Sequence, residues 1–328
     1  IHVRLLKRRI ERITGRDLYV DVAKGICILL VVCIHTEVFG VIGLPLTFIA
    51  VPMFFFMSGF YDHSDRALME YLPRSLRTLL FPAFIWNVIA TIYLASLRWM
   101  KGEAEILNSI FTFDVYNPFS GNGPAWFLAA LVYVKFFTWG LTYCGKGNKY
   151  LILIVTCLMG YVGSRYQLPL LIDEGLAAVP LYYIGKITYP RMIDLLENPV
   201  LIPAGIMTLL LFLSGYIYYT ITPTGNGCYY PYWLLSIACM VLLFVFVLRL
   251  CKLLKISFLE KLGNNSLGIM LLHCPMCHTA AVILNRIFEK GSFIWIVTFL
   301  LLYIVIVFLS YRGTLFIKKY CPVLFGKS

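Results

Sequence analysis

Apolar residues in this chain come in runs of about twenty, separated by short polar stretches that hold most of its Lys and Arg. A helix rising about 1.5 Å per residue needs roughly twenty such residues to cross about 30 Å of hydrocarbon. The runs predict spans at about 18–40, 45–61, 78–98, 123–143, 150–164, 175–187, 199–221, 229–250, 264–285 and 292–312. Several are short for the task, the sixth above all. Ahead of the first lies IHVRLLKRRIERITGR, where Val3, Leu6, Ile10 and Ile13 recur at helical spacing among basic residues. Residues 1–17 are therefore expected to lie along the cytoplasmic surface as an amphipathic segment. The segment has no cleavable-signal character, and its opening on Ile1 points to a trimmed N-terminus. The expected fold is all-α, a polytopic transmembrane bundle of about ten helices, with 18–328 as one membrane domain.

Composition agrees with this pattern. Hydrophobic residues make up 60% of the chain and charged residues 13%. A soluble domain is near half apolar and a quarter charged, so a soluble globular protein is excluded. A net charge of +12 would suggest a nucleic-acid partner in a soluble protein. In a membrane protein it reflects Lys and Arg gathered in cytoplasmic loops against anionic lipid, and no nucleic acid is expected. With the N-terminus inside, 21 of the 28 Lys and Arg fall in cytoplasmic segments and five in external ones, while Lys24 and Lys135 lie within spans. Both termini are thus expected in the cytoplasm. The ten cysteines lie mostly in apolar runs without disulfide-framework spacing and read as reduced small hydrophobes.

One span breaks the apolar pattern. Asp17 to Glu37, DLYVDVAKGICILLVVCIHTE, carries a lysine, a histidine and acidic residues through lipid. Each such charge costs about 2.5–3.5 kcal/mol on insertion scales, which makes these residues functional candidates. Lys24 and His35 are eleven residues apart. At about 100° and 1.5 Å per residue they share a helix face and stand roughly 16 Å apart in depth. The face presents a cation near the cytoplasm and an imidazole in the outer third. Asp21, three residues before Lys24, is a helical neighbour able to neutralise it. Glu37 follows His35 by two residues and cannot face it on the same helix, so it is expected at the external mouth.

These residues, D-x-x-K-G-x-x-I-L-L-V-V-x-x-H, closely resemble the opening of the acyltransferase-3 membrane family: a basic residue, ten others, then His. Further elements follow in the family's order. PMFFFMSGF (Pro52 to Phe60) resembles its second-helix signature, and PRSLRTLLFPAFIW (Pro73 to Trp86) its Arg-rich loop followed by Pro. GPAWFLAAL (Gly123 to Leu131) resembles its Trp-Phe-Leu element, and LGNNSLGIMLLH (Leu262 to His273) its late Ser-Leu-x-Ile-x-x-x-His helix. Sugar acetylases of the family often carry His two residues before the second-helix Pro; Ala50 stands there, so that subgroup's acceptor class does not transfer. The chain ends at Ser328 without a fused extracytoplasmic domain, so transfer is expected to finish within the membrane domain.

The resemblance implies an acyl-CoA donor, usually cytosolic acetyl-CoA, and a hydroxyl acceptor on a cell-envelope glycan or lipid-linked sugar, in a bacterial inner membrane. It assigns catalysis to His35, whose imidazole suits a general base near neutral pH, with Glu37 beside the site. Lys24, Arg74 and Arg77 are expected on the donor's phosphates, with Asp21, Ser58 and Trp126 also on the donor side. The bland readings are snorkelling for Lys24, positive-inside bias for the arginines, close helix packing for Ser58, and an interface belt for Trp126. Lys135 and His273 are expected to line the acceptor's path, Lys135 with equal weight as a buried structural pair. Cys274-Pro-Met-Cys277-His278 matches a haem-attachment pattern, but the flanking motif accounts for the stretch; no metal or haem is expected. The competing class is a transporter or flippase for a lipid-linked sugar or small anion, with Lys24, His35, Glu37 and Lys135 along a pathway.

Overall fold

The structure, a computed structural model, describes residues 17–36, 40–99, 114–119, 121–145, 148–213, 233–254 and 256–326; Glu37 and the basic segment 1–16 lie outside the described residues. The described residues are helical with short connections, and no strand occurs among them. In lipid a helix satisfies its own backbone groups, which is why the apolar runs take this form. In chain order the helices are α1 (Leu18–Ile34), α2 (Gly40–Gly59), α3 (Leu68–Ser75), α4 (Phe81–Trp99), α5 (Trp126–Cys144), α6 (Lys149–Arg165), α7 (Ile172–Thr188), α8 (Met192–Glu197), α9 (Leu201–Leu213), α10 (Trp233–Leu253), α11 (Ser257–Asn264), α12 (Ser266–Ile287) and α13 (Phe293–Tyr320).

Five stretches are long and apolar enough to cross a bilayer: Leu68–Leu97, Gly123–Cys144, Leu234–Leu253, Ser266–Ile287 and Phe293–Tyr320. Pro169–Glu197 and Leu201–Leu213, bent by 106°, make a sixth if they form one broken span. Where the runs suggested about ten spans, the described residues thus supply five or six by length and composition. The expected first and fifth fall on α1 and α6, of 17 residues each. The third begins ten residues early, because α3 passes into α4 through a wide π turn at Leu76–Leu80. That turn follows Pro73, which removes one helical hydrogen bond and crowds the carbonyl of Met69. Arg74 and Arg77 therefore sit on a helix, not on the loop their motif suggested.

The chain's outward faces are apolar. Phe293, Leu301, Ile304 and Phe308 of α13 and Phe84 and Ile92 of α4 are exposed, as lipid-facing positions should be. α1 occupies the middle, packed against α2, α10, α11, α12 and α13. Lipid tails are as apolar as leucine, so close packing of small residues draws such helices together. A Cβ on Gly25 would stand 2.2 Å from the Leu259 carbonyl oxygen, and one on Gly263 1.9 Å from that of Asp21. The α1–α11 crossing is therefore near backbone contact. α2 and α7 repeat the device with Gly59 against Tyr182 and Gly185 against Phe56.

Candidate active site

His35 caps the C-terminal end of α1, its N–H donating to Val31 O at 3.4 Å, and it is exposed. Facing it across 5.1 Å between ring centroids is His273 of α12, fully buried. His273 Nδ1 lies 2.9 Å from Ile269 O. A carbonyl can only accept, so this bond places the proton on Nδ1 and leaves Nε2 a bare acceptor. That Nε2 is buried and meets no hydrogen-bond partner among the described residues. Residues 238 positions apart in the chain thus form one imidazole pair.

A third polar group joins them. Pro275 within α12 has no N–H, which frees the carbonyl of Leu271 four residues earlier. Asn122 fills the gap: its Nδ2 donates to Leu271 O at 3.0 Å, and its buried Oδ1 meets no hydrogen-bond partner among the described residues. Asn87 of α4 holds this turn from the other side, donating to Pro118 O at 3.2 Å and accepting from Asn122 N–H at 2.8 Å. Next in the chain, Gly123 borders the histidine: a Cβ there would be in ordinary contact, 3.9 Å from His35 Cε1. Sequence reasoning missed Asn87 and Asn122. The usable signals were a lone asparagine in an apolar span and a proline inside the His273 helix.

The N-terminal end of α1 is built differently. Lys24 Nζ stands 5.3 Å from the Tyr61 ring centroid. With Asp21, Gly263, Asn264 and Ser266 it lines a cavity of about 300 Å³. Ser266 opens α12 and lines this cavity, so the positive end of that helix's dipole lies beside the lysine. Lys318 from α13 reaches this turn too, donating to Asn265 Oδ1 at 2.6 Å. The other donor-side candidates are dispersed. Arg77 lines a separate apolar groove of about 720 Å³ with Pro73, Phe81, Phe84 and Phe119. Arg74 is exposed at the end of α3, and Ser58 lies in the last turn of α2, lining neither cavity. Trp126, placed on the donor side by the sequence motif, lines a cavity of about 600 Å³ beyond the Gly123 turn, at the His35 end of α1.

Lys135 stands apart from the histidines. Its Nζ lies 5.1 Å from the Tyr71 ring centroid. The hydroxyls of Tyr71 and Tyr182 donate to Asp62 Oδ1 at 2.6 and 2.7 Å, Ser64 N–H donates to Oδ2 at 3.1 Å, and Lys186 pairs with Oδ2 at 2.9 Å. Burial of Asp62 opposes its charge, but Lys186 and these hydrogen bonds outweigh it and hold the carboxyl well below the usual carboxylate range. This network ties the loop after α2 to α3 and α7. Cys274, Cys277 and His278 lie within α12, and no group of three or more residues able to hold a metal ion occurs among the described residues.

A bundle of apolar helices with lipid-facing surfaces, a histidine pair at one end of α1 and a cavity holding Asp21 and Lys24 at the other defines an integral membrane protein. The acyltransferase-3 model, described as an acyltransferase domain, matches residues 17–314. The chain belongs to this family and is a membrane acyltransferase. No curated protein and no solved structure matches it.

Proposed function

We propose that the protein is an O-acetyltransferase that moves an acetyl group from cytosolic acetyl-CoA to a hydroxyl of a cell-envelope glycan or lipid-linked sugar. It works in a bacterial cytoplasmic membrane with about ten spans and both termini inside, as the charge distribution suggests. The observation that carries the reading is the pairing of His35 with His273 at the outer end of a helix whose inner end sets Lys24 beside the start of α12. Lys24 and the α12 N-terminus suit a phosphate or pyrophosphate. Arg77 at its apolar groove suits a longer stretch of donor. The roughly 16 Å of α1 between Lys24 and His35 fits an extended pantetheine arm.

In the reaction, His35 takes the proton of the acceptor hydroxyl as its oxygen attacks the thioester carbonyl. The tetrahedral intermediate collapses, the C–S bond breaks, and the CoA sulfur leaves and is protonated. His273, with Nε2 bare, is placed to accept a hydrogen bond from the acceptor. The transporter reading is weaker, because Lys135, one of its pathway residues, stands over Tyr71 in a separate network.

The test is acceptor-dependent release of CoA thiol from acetyl-CoA by the purified protein. His35→Ala is expected to reduce turnover at least about a hundredfold while inserting and folding normally. Wild-type turnover in that variant would remove the catalytic assignment.

A further inference from the structure

The outer cavity of about 600 Å³ lies within the size range of ligand pockets, roughly 300–1,000 Å³. It adjoins the imidazole pair through one turn. Gly123 approaches His35, and three residues later Trp126 opens α5 and lines the cavity. Its walls are tied together, since Leu170 N–H donates to Val115 O at 2.7 Å and joins the loop before α5 to the loop before α7. Three aromatic rings, Trp126, Tyr116 and Tyr166, line it. Three carboxylates do so as well, Asp114, Asp173 and Glu174, against a single guanidinium, Arg165.

We infer that this cavity is the acceptor subsite and that it holds a sugar unit without negative charge. The inference rests on acyl transfer at His35 and goes beyond it by naming where the acceptor sits and which acceptors are refused. A pyranose ring offers an apolar C–H face, which packs on aromatic rings, and a rim of hydroxyl donors. Carboxylates accept and never donate when ionised, so Asp114 and Asp173 match a rim of donors, and Glu174, half-buried beside Asp173, adds to them as it ionises. The excess of negative charge repels a carboxylate- or phosphate-bearing sugar, and such juxtapositions discriminate strongly between partners. Asp173 is buried and Glu174 half-buried, which limits solvent screening of that repulsion. Trp126 thereby acts on the acceptor, and the donor binds elsewhere.

The experiment compares p-nitrophenyl β-glucoside with p-nitrophenyl β-glucuronide, which differ only at C6, a hydroxymethyl group in one and a carboxylate in the other; the Glu174→Gln arm separates charge repulsion from loss of the C6 hydroxyl. The glucoside is expected to be used with a kcat/KM at least about tenfold higher. Glu174→Gln should narrow that ratio by improving the glucuronide. Trp126→Ala should raise KM for the glucoside at least about tenfold with KM for acetyl-CoA unchanged, and Trp126→Phe should restore most of the loss. A binding readout stands apart from turnover: saturation-transfer NMR from wild-type protein to methyl β-glucoside, lost in Trp126→Ala and kept in Trp126→Phe. Equal use of both acceptors, an unchanged glucoside KM in Trp126→Ala, or saturation transfer that ignores Trp126 overturns the inference. Those outcomes leave the catalytic reading intact, whereas full turnover in His35→Ala removes that reading and spares the binding result.

Discussion

The carboxylate of Asp62 takes donors from Ser64, Tyr71, Tyr182 and Lys186, and its side chain is fully buried. An ionised carboxylate offers about four acceptor directions, so this one is satisfied. Removing it would leave Lys186, only 25% exposed, without its ion-pair partner. Losing one partner of a buried pair costs about 3–5 kcal/mol, and the partial exposure of Lys186 puts Asp62→Ala near 2–4 kcal/mol. Thermal unfolding in detergent measures it. The same pair sets a pH dependence. Because the folded carboxyl titrates below its unfolded value, its contribution is fully present above about pH 4 and is lost as pH falls further. The acid limb of the stability profile should flatten in Asp62→Ala. His273 depends in the same way on one neighbour. The Ile269 carbonyl fixes its tautomer, and without that bond Nε2 would not be reserved as an acceptor.

At the scale of elements, two pairs of close-packed helices set the geometry. Gly25 and Gly263 bring α1 and α11 near backbone contact, and the chain that leaves α11 at once starts α12 beside Lys24. Gly263→Ala would thrust a methyl group to within 1.9 Å of the Asp21 oxygen, so the helices must part. Overpacking of this kind costs about 1–3 kcal/mol. Parting moves Lys24 away from the α12 N-terminus, so the predicted result is a lower unfolding temperature together with a several-fold higher KM for acetyl-CoA. An unchanged KM would detach this crossing from donor binding. The loop into α7 carries a different kind of constraint. Leu170 and Leu171 both adopt left-handed backbone, at φ 59° and 64°, a conformation that costs an L-residue about 1–2 kcal/mol. They aim Asp173 and Glu174, in the first turn of α7, at the outer cavity.

For the whole molecule, α1 joins two unlike ends. The N-terminal end sets Lys24 and Asp21 at the start of α12; the C-terminal end joins the imidazole pair to an acidic, aromatic cavity. The orientation can be checked with Cys144 and Cys321, both exposed and both at helix ends expected in the cytoplasm. In intact cells a membrane-impermeant maleimide should leave both unlabelled, and permeabilisation should expose them. Labelling of either in intact cells would reverse the assigned topology.

Helical class, membrane residence and the special character of α1 were legible in the sequence, because each depends on local composition and spacing that one helix carries with it. The same holds for Lys24 and His35, whose shared face follows from the helical repeat alone. Span lengths were less legible: a π turn after Pro73 extends one helix and 17-residue helices interrupt the count, and hydropathy registers neither. Only the tertiary structure brought His273 to His35, set Asn122 against the carbonyl freed by Pro275, placed Trp126 in the wall of the acidic, aromatic cavity, and sent Lys135 to the Asp62 network. These pairings join residues far apart in the chain. What decides them is which helix faces can approach closely, and that depends on small residues meeting across crossings that no single segment defines.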